Sequence, residues 1–165
     1  MLLYLLRHGV AVDREDPDCP ADAVRPLTSK GVEKTRLAVA GLRRLGVKPE
    51  VIVASPLLRA VQTAEIVAEL LGHAKDKIRR TPALEPSADP ADLLREVARW
   101  KAEEVLCAGH APHLDELIAH AVGARTAFTA LKKSGAACLE FASMAGGRGV
   151  LLWVFPSKVL RILGE

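Results

Sequence analysis

Leu2-Leu3-Tyr4-Leu5-Leu6-Arg7-His8-Gly9 opens the chain as a five-residue apolar run that breaks into a guanidinium, an imidazole and a glycine. The run has the length and character of a strand buried on both faces, emerging into a loop at Arg7. The carboxyl ends of parallel strands are where open α/β sheets build ligand sites. Arginine matches a phosphate bidentately, and a neutral histidine nitrogen beside it can accept a phosphoryl group. By itself the tripeptide is a weak signal, because a strand-end histidine with a purely structural hydrogen bond reads the same way. The rest of the chain has to decide.

Downstream, strand and helix signals alternate. A polar loop with Asp13, Glu15 and Asp16 runs to Pro26. Thr28 then reads as the N-cap of a helix extending to about Leu45 and stopped by Gly46, with Val32, Thr35, Val39 and Leu42 along one face. Val51 to Ala54 is a second buried strand. Ser55-Pro56 reads as the opening of another helix, serine as N-cap and proline at the first helical position. Leu57, Val61, Ala64, Ala68 and Leu71 line its inner face, and Gly72 ends it. A short strand is expected over Ile78 to Thr81, and a third helix from Asp89-Pro90 to about Ala102. Val105 to Ala108 is a fourth strand, ending at Gly109-His110, and a helix follows from His113 to Val122. Ala136 to Ala142 and Val150 to Phe155 read as strands joined by the turn Gly146-Gly147-Arg148-Gly149. A last short helix covers Ser157 to Leu163. This order implies an α/β fold with three layers and a mixed, mostly parallel central sheet, the late hairpin supplying an antiparallel pairing.

Composition bounds what such a fold can do. The 165 residues are 50% hydrophobic and 26% charged, which is ordinary for a globular protein, and the length suits one domain over 1–165. The net charge of +3 is spread over isolated pairs such as Arg43-Arg44 and Arg79-Arg80, so no nucleic-acid partner is expected. Cys19, Cys107 and Cys138 have no CxxC spacing and suggest neither disulfides nor a zinc site, with Cys107 and Cys138 as core fillers. The first apolar run is too short for a membrane span and lacks a basic leader, so neither membrane association nor secretion is expected and a cytoplasmic location is.

Three strand exits carry phosphate-capable side chains: Arg7-His8 after the first, Arg59 in the helix after the second, and His110 after the fourth. If those strands are parallel, two arginines and two histidines share one rim, an arrangement that favours an anion. At this point the chain resembles the histidine phosphatase superfamily. The matching stretches are RHG at 7–9, R-P-L-T-x-x-G at Arg25 to Gly31, SP-x-x-R-A-x-Q-T-A at Ser55 to Ala64 and GH-x-P at 109–112. The wording GH-x-P-H-L-x-E-L and the small size resemble the short bacterial phosphohistidine phosphatase branch.

That resemblance implies a phosphoglycerate-mutase-like fold and a hydrolase that uses no cofactor or metal. It implies His8 as the phosphorylated nucleophile, its other ring nitrogen held by a backbone carbonyl. Arg7, Arg59 and His110 would bind the phosphoryl oxygens. Glu85 is a candidate general acid, with a solvated loop carboxylate as the competing reading, and Asp13 a weaker candidate. Arg25 either borders the pocket or faces solvent. His113 is either a rim residue or a helix start, and His73 and His120 are expected at the surface. Trp100 and Trp153 are expected to be packing residues. Lys132, Lys133 and Arg148 are either contacts for a protein substrate or solvated. The expected substrate is phosphohistidine on a protein such as a phosphotransfer domain. The alternatives are a phosphomonoesterase acting on a small phosphate ester and a non-catalytic phosphate-binding module.

Overall fold

Alternation along the first strand sets the layers. In β1 (Leu2–Arg7), Tyr4 and Leu6 join one apolar cluster and Leu3 and Leu5 another, so the strand is buried on both faces. In the computed structural model, which describes residues 1–144 and 148–165, five further strands complete one sheet. They are β2 (Val51–Ala54), β3 (Arg79–Arg80), β4 (Glu104–Gly109), β5 (Ala136–Glu140) and β6 (Val150–Phe155), in the order β3-β2-β4-β1-β5-β6. β3, β2, β4 and β1 pair in parallel, whereas β5 pairs antiparallel with both β1 and β6. The sheet is therefore mixed and mostly parallel.

Helices cover both faces. α1 (Ser29–Arg44), α2 (Leu58–Leu71) and α5 (Ser157–Gly164) pack on the side of Tyr4, Leu6, Ile52 and Leu106. On the other side α3 (Pro90–Val97) and α4 (His113–Val122) pack on Leu3, Leu5, Val105 and Cys107. Cys107 and Cys138 are buried in these clusters, and burial pushes the Cys138 thiol up to about 12. Trp153 stacks on Phe155 with ring centres 5.0 Å apart, and Arg79 lies 5.0 Å from the Trp100 ring centre, so both indoles are packing residues. Among the described residues no helix is long and apolar enough to cross a membrane.

Local signals hold at several ends. Thr28 accepts a hydrogen bond from Gly31 N as the cap of α1, Asp89 does the same from Ala91 N for α3, and Gly72 closes α2 with φ +79°. Four boundaries differ from expectation. α2 starts at Leu58 rather than beside Pro56: the Ser55 hydroxyl accepts only a long bond from Leu57 N at 3.4 Å and meets His110 Nε2 at 2.9 Å, and the first helical acceptor is Leu57 O. α3 ends at Val97 instead of near Ala102. The chain there tightens into i→i+3 turns, with Arg99 N on Glu96 O and Trp100 N on Val97 O. The third strand shrinks to Arg79–Arg80, since the Thr81 side chain already caps the turn at Pro82–Leu84. β5 stops at Glu140, where Phe141 N bonds Met1 O outside the ladder. Gly146 and Gly147 of the expected hairpin turn lie outside the described residues.

Candidate active site

Register brings the three strand exits together. Arg7 pairs with Gly109 and Ala54 with Ala108, so β1, β4 and β2 end side by side at one edge. His8 N donates to Gly109 O at 2.9 Å and Ser55 N to Ala108 O at 3.0 Å, which continues the alignment one residue into each loop. Arg7, His8, Arg59 and His110 consequently line one cavity of about 680 Å³, together with Arg25.

The glycines around His8 have a steric reason. A Cβ on Gly9 would collide with Thr35 Oγ1, and one on Gly31 would overlap Val10 O, so the loop after β1 lies directly on the start of α1. Two side chains of α2 fasten the same loops. Thr63 accepts from Gly9 N at 3.2 Å, and Gln62 accepts from Leu27 N at 2.7 Å. Ser134, at φ 58°, donates its backbone N–H to Arg7 O and His8 O, and its hydroxyl meets Thr35 Oγ1 at 2.9 Å.

His8 Nδ1 lies 2.7 Å from Gly9 O. A carbonyl only accepts, so Nδ1 carries the proton and Nε2 keeps its lone pair. Burial pushes the His8 imidazole down to about 3, with the cations Arg59, Arg7 and Lys133 acting in the same direction and the Gly9 bond opposing. His110 stands beside it, ring centres 5.0 Å apart, and is also lowered to about 3, by burial first and then by His8 and Arg59. His110 Nε2 is 2.9 Å from Ser55 Oγ, and its Nδ1 has no protein partner. The site thus pairs two neutral imidazoles with fixed guanidinium groups.

Asp22 organises the arginines. One oxygen meets Arg59 at 3.2 Å, the other meets Arg25 at 3.2 Å and Arg14 at 3.1 Å, and its backbone carbonyl accepts from Arg59 at 2.8 Å. Arg25 is buried and also donates to Val12 O at 2.6 Å. Arg59 is 1% exposed yet keeps its Nε without a protein partner, as does Arg7. An anion with several acceptor oxygens suits such an unspent set of donors.

The remaining candidates are dispersed. Glu85 is half-buried at the end of the 82–84 turn, and the adjacent Pro86, not Glu85, lines the cavity, whereas Asp13 and Glu15 do line it. Lys133 lies on the cavity rim and Lys132 is exposed beside it. His113 begins α4 and is fully buried, with neither ring nitrogen partnered, while His120 is exposed and His73 half-buried. Arg148 is exposed. Sequence reasoning did not reach Asp22, whose importance depends on arginines 3 and 37 residues away, or Ser55 as the partner of His110.

Sheet order, glycine-fitted loop and paired neutral imidazoles define a phosphoryl-handling α/β protein, and comparison with known proteins agrees. The sequence profile of the histidine phosphatase superfamily (branch 1) matches residues 3–85, and the chain belongs to that family. It is a phosphatase of that type, a class of hydrolase that needs no metal. Among relatives, an uncharacterized protein of Picosynechococcus sp. is 40% identical over 141 residues, 82% of each chain. Phosphohistidine phosphatase SixA of Escherichia coli is 32% identical over 122 residues, 72% of this chain and 73% of its own. The structure of the protein histidine phosphatase SixA complexed with tungstate superposes with a TM-score of 0.86 at 28% identity, over 97% of this chain and 99% of the other.

Proposed function

We propose that the protein hydrolyses phosphohistidine on a partner protein through a covalent phosphohistidine on His8. The observation that carries this reading is the tautomer of His8: Nδ1 donates to Gly9 O, leaving a neutral Nε2 as nucleophile beside two arginines. Nε2 attacks phosphorus, the phosphoryl group passes to it, and the bond to the leaving imidazole breaks. Water then attacks the phosphoenzyme, releasing phosphate and restoring His8. Arg7 and Arg59 hold the equatorial oxygens and His110 donates from Nδ1, stabilising charge that spreads in the transition state. Arg25 borders the same site through Asp22.

Two features support a protein-borne phosphohistidine. The cavity is flanked by the exposed residues Asp13, Arg14, Glu15 and Lys133, an open mouth suited to a side chain presented by another protein. Glu85 does not line the cavity, which suits a leaving imidazole that takes its proton from solvent. Likeness to SixA supports the same substrate. A small phosphate ester is the second reading, favoured by a cavity of about 680 Å³, a size that accommodates small ligands, with Asp13 in its wall.

The test compares turnover of a phosphohistidine protein with a panel of alkyl and aryl phosphates, using His8→Ala as control. The proposal expects the phosphoprotein to react faster, Glu85→Gln to leave that rate unchanged, and an acid-labile phosphoenzyme to be trapped by rapid quench. Equal or better rates on alkyl esters would transfer the assignment to the second reading. Normal phosphate binding with no trapped phosphoenzyme would indicate a binding module instead.

A further inference from the structure

Asp115 is the one carboxylate among the buried charged side chains of the described residues, at 5% exposure in the first turn of α4. It forms no ion pair within 4.0 Å there; instead a single oxygen, Oδ1, accepts from Thr129 Oγ1 at 2.6 Å and from Leu131 N at 2.9 Å. Those partners sit in the segment between α4 and β5, most of which is exposed from residue 124 to 129 and has neither helix nor strand. Leu131 then presents its carbonyl to Arg7, which donates from a terminal nitrogen at 2.7 Å. The chain of contacts runs from carboxylate to backbone amide, across the single residue Leu131, to the guanidinium at the end of β1.

A buried carboxylate is costly unless its hydrogen bonds are good, and two short donors on one oxygen meet that condition. What they fix is the backbone at Leu131, whose side chain is set in the core at 2% exposure. Arg7 is half-buried, its Nε has no protein partner, and Leu131 O is its hydrogen-bond acceptor. Without the peg, the 129–131 backbone would keep the buried Leu131 side chain but lose the two bonds that set the direction of its carbonyl, and with them the aim of Arg7.

We propose that Asp115 is a positioning residue for Arg7, pinning the 129–131 backbone so that the guanidinium stays aimed into the phosphoryl cavity. The inference rests on the reading of Arg7 as a phosphate clamp. It adds to the catalytic set a residue in α4 that touches neither substrate nor the reacting atoms.

A double-mutant cycle tests it, with an aryl phosphate as substrate and inorganic phosphate as inhibitor. Asp115→Ala is expected to weaken phosphate inhibition about tenfold and to lower kcat/KM by a similar factor, a coupling within the range of residues sharing a hydrogen-bond network. Asp115→Asn keeps an oxygen acceptor for both donors and is expected to restore both parameters to within about threefold of wild type. In an Arg7→Ala background, Asp115→Ala should change kcat/KM by less than about twofold. Should Asp115→Ala fail to fold, Thr129→Val, which removes one of the two donors, is compared in both backgrounds and must lose its effect when Arg7 is absent. A full, unreduced cost in the Arg7→Ala background would overturn the proposal, as would an Asn variant no better than Ala. Arg7→Ala with normal phosphate inhibition would instead refute the clamp reading itself, a result distinguishable from either.

Discussion

His8 and His110 share a buried, cation-lined setting but answer to different partners. A carbonyl orders His8, and the response of its ring to acid follows: with burial and cations holding it down to about 3, the imidazole stays neutral where an ordinary histidine would be largely charged. Ring-resolved NMR titration is expected to show His8 and His110 unprotonated at pH 5; protonation near pH 6.5 would remove the basis for a pre-set nucleophile. His110 is ordered by a hydroxyl instead. Ser55→Ala leaves its Nε2 without the partner at 2.9 Å, so the ring loses its aim at the cavity. Turnover is expected to fall roughly tenfold to a hundredfold, the scale on which small misplacements of reactive groups act. Steady-state kinetics with unchanged kcat would show that the sheet alone orients His110.

Elements meet at the site through close backbone contact, which explains why two glycines matter as much as the charged groups. Gly31, in the first turn of α1, touches Val10 O so closely that a Cβ has no room, and the obstacle is backbone that cannot rotate away. Gly31→Ala is expected to destabilise the fold by about 1–3 kcal/mol, the usual range for forcing volume into a packed contact. It should also reduce turnover, because the displaced loop carries His8; a denaturant series with an unchanged midpoint would contradict this. Such contacts mark where local sequence signals end. Thr28 as a cap and Gly72 as a stop were legible because their effects are confined to one turn. The convergence of Arg7, His8, Arg59 and His110 was legible because each sits at a strand exit, and parallel strands end together. Ser55-Pro56 looked like a helix start because a serine hydroxyl can cap a helix or bond a side chain from a neighbouring strand exit. The Ser55 hydroxyl does both here, accepting a long bond from Leu57 N at 3.4 Å and meeting His110, 55 residues away, at 2.9 Å. Asp22 and Asp115 were hidden because each has partners distant in sequence: Arg59 lies 37 residues from Asp22, and Thr129 and Leu131 lie 14 and 16 residues from Asp115 in a segment with no periodic pattern.

Across the molecule, one sheet edge concentrates groups that fold at an electrostatic cost. Arg7 and Arg59 are held partly or wholly out of water, and His8, His110 and His113 are all buried and shifted toward the neutral form. An unfolded chain binds protons at these histidines near pH 6.5, whereas the folded chain refuses them down to about pH 3 at His8 and His110. Stability from this source is therefore complete above about pH 6.5 and declines as pH falls toward 3. A bound dianion reverses part of that cost. Its charge faces Arg7 and Arg59 and raises the proton affinity of the two imidazoles, so binding takes up protons and tightens as the solution becomes more acid. Sulfate remains dianionic over this range and does not react, which separates the effect from phosphate ionisation and from turnover. At a concentration a hundred times its dissociation constant it should stabilise the fold by about 2.7 kcal/mol. The affinity measured by denaturant midpoints should increase between pH 7 and pH 5, and His110→Gln should flatten that rise. A sulfate affinity independent of pH would mean that the imidazoles do not sense the bound anion, and the electrostatic account of the rim would fail with it.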